Sequence, residues 1–147
     1  MLKNLLNNVK ITRVLNRGAG TASATANKGT IIDMSGFRSV MFVAAFDNVL
    51  VNSVVTLGAG LSDANDTAQM TAMTTGTAGG TATATSFDNK LVVLDLVAPK
   101  KRYIEAQLTC ATADGPYDGV IAIQYDPINV PTTQSSTVVA SATTVEP

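Results

Sequence analysis

The chain has 147 residues, the length of a single domain, with 46% hydrophobic and only 14% charged residues, no His, no Trp and one Cys. An average soluble domain is about 25% charged, and here alanine and threonine, about twenty of each, take the place of the missing charge. This arithmetic excludes an internal disulfide framework, zinc sites built on Cys and His, and any triad that uses imidazole as its base; a net charge of −1 gives no global attraction to nucleic acid.

The charge is uneven along the chain. Lys3, Lys10, Arg13, Arg17, Lys28 and Arg38 stand against Asp33 alone in the first forty residues, while residues 103–147 carry Glu105, Asp114, Asp118, Asp126 and Glu146 with no cation. Two readings are open: the two ends attract each other within one fold or between subunits, or the basic end meets an acidic partner. No segment reaches the roughly 18 apolar residues of a membrane span, and the lysine at position 3 is not followed by the apolar run of about 7–15 residues that a signal needs, so neither a membrane nor a secretory signal is expected. With Cys110 unpaired, synthesis in a reducing cytoplasm is expected.

Strand signals dominate in chain order. Residues 9–15 alternate imperfectly and carry charge, as an edge strand does. Residues 21–25 are small and polar, and residues 29–34 read as a short strand closed by Ser35-Gly36. Residues 37–46, rich in aromatic and β-branched side chains, read as a central strand, with residues 49–57 returning as its hairpin partner across Asp47-Asn48. Residues 62–73 are the one helix candidate, capped by Ser62 or Asp63, and residues 74–86 are a Thr/Ala/Gly loop or edge ribbon. Residues 91–98 form a continuous apolar run broken by Asp95 and stopped by Pro99. Residues 102–110 and 119–125 alternate cleanly, and the turn-rich link between them predicts a hairpin. Seven or eight strands with few helices indicate an all-β protein, an antiparallel β-sandwich of jelly-roll type with a long low-complexity loop. One domain is expected over residues 1–125, opening with a basic segment 1–20. Residues 126–147 read as an extended or flexible arm, because Pro127 and Pro131 interrupt a strand and residues 132–147 hold no large side chain.

No constellation supports an enzyme, and no cofactor or metal is expected. Gly18-Ala19-Gly20 and Gly58-Ala59-Gly60 lack the third glycine and helix of a dinucleotide fingerprint and read as turns. Asp63, Asn65 and Asp66 lack the spacing of a calcium loop. Cys110, on the apolar side of its strand, reads as a buried small hydrophobe. Lys100-Lys101-Arg102 is a compact basic triplet, either a solvated loop or a contact with an acidic surface, and only Tyr103 beside it could stack on a base.

The stretch Leu91-Val-Val-Leu-Asp-Leu-Val-Ala-Pro-Lys-Lys-Arg-Tyr103, with Asp118-Gly-Val-Ile-Ala-Ile-Gln-Tyr125 and a Thr/Ser/Val tail after it, resembles small virion proteins of tailed bacteriophages, in particular head decoration (capsid cement) proteins. The resemblance implies a β-sandwich bound to the outer surface of the capsid, made in the host cytoplasm, with the major capsid protein as partner and a homo-oligomer, a trimer first, as its own state. Charge and position then single out Lys10, Arg13, Arg17, Lys100, Lys101 and Arg102 as candidate capsid contacts, with the tail from Thr132 as an arm. A head–tail connector or tail component is the alternative virion role, and a carbohydrate-binding adhesive sandwich the alternative outside virions.

Overall fold

The computed structural model describes residues 4–84 and 86–142. After a single 3₁₀ turn at Leu5–Asn7 come nine strands: β1 (Lys10–Leu15), β2 (Ser23–Asp33), β3 (Phe37–Phe46), β4 (Val54–Ser62), β5 (Thr71–Ala72), β6 (Ala78–Thr81), β7 (Leu91–Val97), β8 (Tyr103–Ala111) and β9 (Tyr117–Pro127). They make two antiparallel sheets, in the orders β1-β9-β3-β7 and β2-β8-β4-β5, with β6 also on β4. Counting β5 and β6 as one interrupted strand along β4, this is the strand order of an eight-stranded jelly roll. The all-β sandwich expected from the sequence is the fold.

The core is the space between the sheets. Phe42 and Val40 of β3, Leu57 of β4, Ile104 and Leu108 of β8, and Val120 of β9 are fully buried there. On β3, β7, β8 and β9 the residues that build it are alternate positions, as a period of two requires. Central β3 occupies the boundaries expected of it, Phe37–Phe46, and pairs on both sides, with β7 and β9.

Most connections cross from one sheet to the other, and this overturns both hairpins expected from the sequence. β4 starts at Val54 and pairs with β8, so residues 49–57 are not the partner of β3. Residues 49–53 instead arch over the end of the sandwich, with Val49 buried beneath and Asn52 at a φ of 70°. β8 and β9 are likewise in different sheets, because residues 112–116 bridge the layers. Turn residues between two alternating runs have the same composition in an arch as in a hairpin, which is why the sequence did not separate them.

Three further expectations change. The helix over residues 62–73 is absent: a 3₁₀ turn, Thr67–Gln69, and the short strand β5 form there, and the cap of the turn is Asp66, whose Oδ1 accepts the Ala68 N–H at 2.9 Å. The stripe such a helix would bury, Leu61, Ala64, Ala68 and Ala72, is mostly alanine, too small to bury a helix face. Gly58 and Gly60 are not in a turn but inside β4; a Cβ on Gly60 would lie 2.6 Å from Gln107 Nε2 and 2.9 Å from Met70 Cβ, so glycine leaves room for the segment that folds over the sheet. Residues 23–25, read as a small polar stretch, open the long strand β2, and the Thr/Ala/Gly run supplies the edge ribbon β6.

Candidate functional site: an apolar sheet face and a basic end

An antiparallel sheet on a protein surface usually buries one face and turns a polar face to water. The sheet β2-β8-β4 obeys that rule, with Gln107 and Thr109 of β8 and Thr56 of β4 on its outer side. The sheet β1-β9-β3-β7 does not. On β9 it is Val120, Ala122 and Gln124 that point into the core, and Ile121, Ile123 and Tyr125 that point out. Inward Gln124 is accommodated because its Nε2 donates to the Asp33 carbonyl at 2.8 Å, tying the two sheets together at that end. On β7, Leu91, Val93 and Val97 are 62%, 46% and 71% exposed, and Ile121 on β9 is 41% exposed.

Register puts these side chains in rows. Arg13, Ile121, Val43 and Val93 lie across the sheet in one row, and Ile11, Ile123, Met41 and Asp95 in the next. A hollow of about 490 Å³ sits on this face, bounded by Ile11, Arg13, Val43, Leu91, Ile121 and Val138. The face was not singled out from the sequence. Its signal was present, however: a strand that is apolar at every position, as residues 91–94 are, is apolar on both sides.

The C-terminal segment forms one margin of the face. Residues 132–137 run along the free edge of β1 and hold it by side chains. Gln134 Oε1 accepts the Ile11 N–H at 2.9 Å, and Thr137 Oγ1 accepts the Arg13 N–H at 3.0 Å. Thr132 Oγ1 and Gln134 Nε2 both donate to the Val9 carbonyl at 2.7 Å. The edge of β1, which would otherwise present unpaired backbone groups, is thereby covered. In this structure the arm lies on its own chain; the last five residues of the expected arm, 143–147, fall outside the described residues.

The six candidate cations fall into two groups. Arg13 and Arg17 sit near the start of β9. Arg13 donates to the Asp118 carbonyl at 2.8 Å, and the Arg17 guanidinium lies 3.8 Å from Asp47 and 4.0 Å from Asp118. Lys10 is at the opposite end of β1, where β2 turns into β3 and the β7–β8 loop carries Lys100, Lys101 and Arg102. Arg102 forks onto Asp33 at 2.9 and 2.8 Å, stacks 5.0 Å above the Tyr103 ring, and holds the Asp33 carboxyl below its ordinary value, with Lys10 adding to the effect. Lys101 pairs with Asp63. Arg38, not among the six, joins this end: its carbonyl accepts the Ala98 N–H at 3.1 Å. Among the described residues Lys10, Arg38 and Lys100 form no ion pair. Attraction within the fold thus takes up Arg17, Lys101 and Arg102.

The remaining reactive groups are enclosed. Cys110 is buried, and desolvation, with Asp114 contributing, pushes its thiol up to about 11. Glu105 is fully buried under the 3₁₀ turn, accepting from Thr67 Oγ1 at 2.8 Å and Gln107 Nε2 at 3.3 Å. Among the described residues no three His, Cys, Asp or Glu side chains gather as metal ligands would.

No family model and no curated protein matches the chain. Among solved structures it is similar to the CBM22-1–GH10 modules of Clostridium thermocellum endo-1,4-β-D-xylanase 10B complexed with xylohexaose, at 12% identity and a TM-score of 0.46. The match covers 93% of this chain and 28% of that one. A likeness at this level carries no inference about ligand or role.

Proposed function

We propose that this chain is a structural virion protein that binds the outer surface of a phage capsid and stabilises it, with the major capsid protein as its partner. The observation that carries the reading is the apolar outer face of β1-β9-β3-β7. Exposed contiguous aliphatic surface marks a site that a protein partner covers, and a subunit that works inside an assembly has such a face by necessity. Its aliphatic lining, with Tyr125 the one ring on the outer side of β9, lacks the aromatic platform that a sugar would stack on.

The basic end supplies a second kind of contact. Lys10, Lys100, Lys101 and Arg102, four of the six cations selected from the sequence, share it with Arg38; Asp63 and Asp33 pair with Lys101 and Arg102, and Lys10, Arg38 and Lys100 are the cations that suit an acidic shell surface. Stabilisation comes from repetition. A modest contact per subunit, made at every equivalent position of a shell, adds through multivalency, and a ligand that binds only the assembled state shifts the equilibrium toward assembly.

The test is the heat survival of capsids of the phage that encodes this chain, with and without the purified protein. Decorated shells are expected to survive to a higher temperature, and the Lys10→Glu, Lys100→Glu double variant to protect less. Equal survival with wild-type protein overturns the stabilising role. Binding at a single vertex in low copy number would move the chain to the head–tail connector.

A further inference from the structure

The apolar face has the layout of a protein interface. Ile121 and Ile123 of β9 and Val43 and Met41 of β3 occupy the middle two strands, in two adjacent rows. Arg13 ends the first row on edge strand β1, and Asp95 ends the second row on the opposite edge strand β7. An aliphatic centre with opposite charges at diagonal corners is what a partially buried interface has at its core and rim.

The geometry points to a second copy of this chain as the occupant of this face, docked about a two-fold axis. A two-fold contact requires that if residue i meets residue j, then j meets i. An axis lying in the interface and bisecting the line from Arg13 to Asp95 meets this condition. It lays each Arg13 over the second copy's Asp95, twice, and sets the Ile121, Ile123, Val43 and Met41 clusters against each other. Both charged groups are held in place for such a contact. Arg13 is anchored to the Asp118 carbonyl at 2.8 Å, and Asp95 accepts from Tyr125 Oη at 2.7 Å.

The contact is a two-fold one, whereas the resemblance led to a trimer. It rests on the reading of this face as an assembly contact, gives the face to a second copy of the chain and leaves the basic end to meet the shell; it is read on purified protein and stands or falls without a capsid. Four strands about 4.8 Å apart give a footprint of roughly 450 Å² per partner, below the ~800 Å² of a standard stable interface. The dimer is therefore weak and concentration-dependent.

Sedimentation equilibrium over concentrations from about 1 μM to 1 mM tests it. Wild-type protein is expected to pass reversibly from monomer to dimer. Arg13→Asp and Asp95→Arg, each alone, are expected to weaken the dimer at least about tenfold by setting like charges against each other. Combined in one chain they are expected to restore it to within about threefold, because the swapped pair meets itself again across the axis. Should either single variant lose its cooperative thermal unfolding, Val93→Glu on the same face replaces it, with the same loss expected. A monomer throughout, a trimer, or a dimer indifferent to these substitutions overturns the proposal. So does a variant set that lowers binding to shells while the mass stays that of a monomer throughout, which would assign the face to the capsid protein.

Discussion

The Gln134 side chain reaches back 123 residues to accept the Ile11 N–H, while its amide nitrogen donates to the carbonyl of Val9. One side chain thus satisfies two backbone groups on the open edge of β1, a task that a neighbouring strand would otherwise perform. No residue in 128–142 is buried, so these polar contacts, rather than an apolar anchor, hold the segment down.

Gln134→Ala is therefore expected to free the Ile11 amide selectively. A net loss of about 0.5–1.5 kcal/mol is the ordinary worth of such hydrogen bonds. Hydrogen exchange read residue by residue should show faster exchange at Ile11, with Arg13, whose amide Thr137 holds, and β3 and β8 unchanged. Unaltered protection at Ile11 would show that the segment does not guard this edge.

The Arg102–Asp33 fork makes folding stability depend on acid. The Asp33 carboxyl lies below its ordinary value of 3.8, chiefly through the Arg102 hydrogen bonds. A carboxyl depressed in the folded state contributes stability above its unfolded pKa and loses that contribution as pH falls through the folded value. The pair is about half exposed, so the effect is small. Asp33→Asn is expected to lower the melting temperature slightly at neutral pH, with the gap from wild type closing below pH 3.8. A gap that stays constant into acid would contradict the assignment.

Two apolar side chains one strand apart should respond very differently to truncation. Phe42 is completely enclosed between the sheets, whereas Ile121 is on the outer face. Phe42→Ala is expected to cost about 3–5 kcal/mol, and Ile121→Ala less than about 1 kcal/mol because its site has no cavity to leave. Denaturant titration of dilute, monomeric protein measures both. Comparable losses would mean that the outer face is part of the core.

Gly60→Val is expected to lift the segment that covers Glu105. The new side chain would collide with Gln107 and Met70, and overpacking of this kind costs about 1–3 kcal/mol. The check is the same denaturant titration together with proteolysis within residues 63–73, which should become faster. Wild-type resistance would show that Gly60 is not needed for the segment to close.

Much of this fold is written in local pattern. Aromatic and β-branched composition marked β3, alternation marked β8 and β9 within a residue or two, and the apolar run 91–98 marked β7. The features that escaped are non-local. Gly58 and Gly60 look like turn residues until Thr77, Gln107 and Met70 are known to occupy the space beside them. The arches 47–53 and 112–116 look like hairpin turns because the sheet on which a strand lands is decided by the whole core. The side of β9 that faces inward was also hidden: its larger side chains, Ile121, Ile123 and Tyr125, are the outward ones, and Gln124 finds its partner, the Asp33 carbonyl, 91 residues away. Of the candidate contacts, the triplet 100–102 was visible as a run, but its meeting with Lys10 and Arg38 exists only in the folded chain.

The most direct test of the proposed capsid-binding role is co-sedimentation of the purified protein with expanded capsids of a tailed phage whose genome encodes it, read as bound copies against free concentration. Saturable binding is expected at a fixed, high number of copies per shell, weakened by added salt because the basic end contributes. No binding, or binding that never saturates, would contradict it.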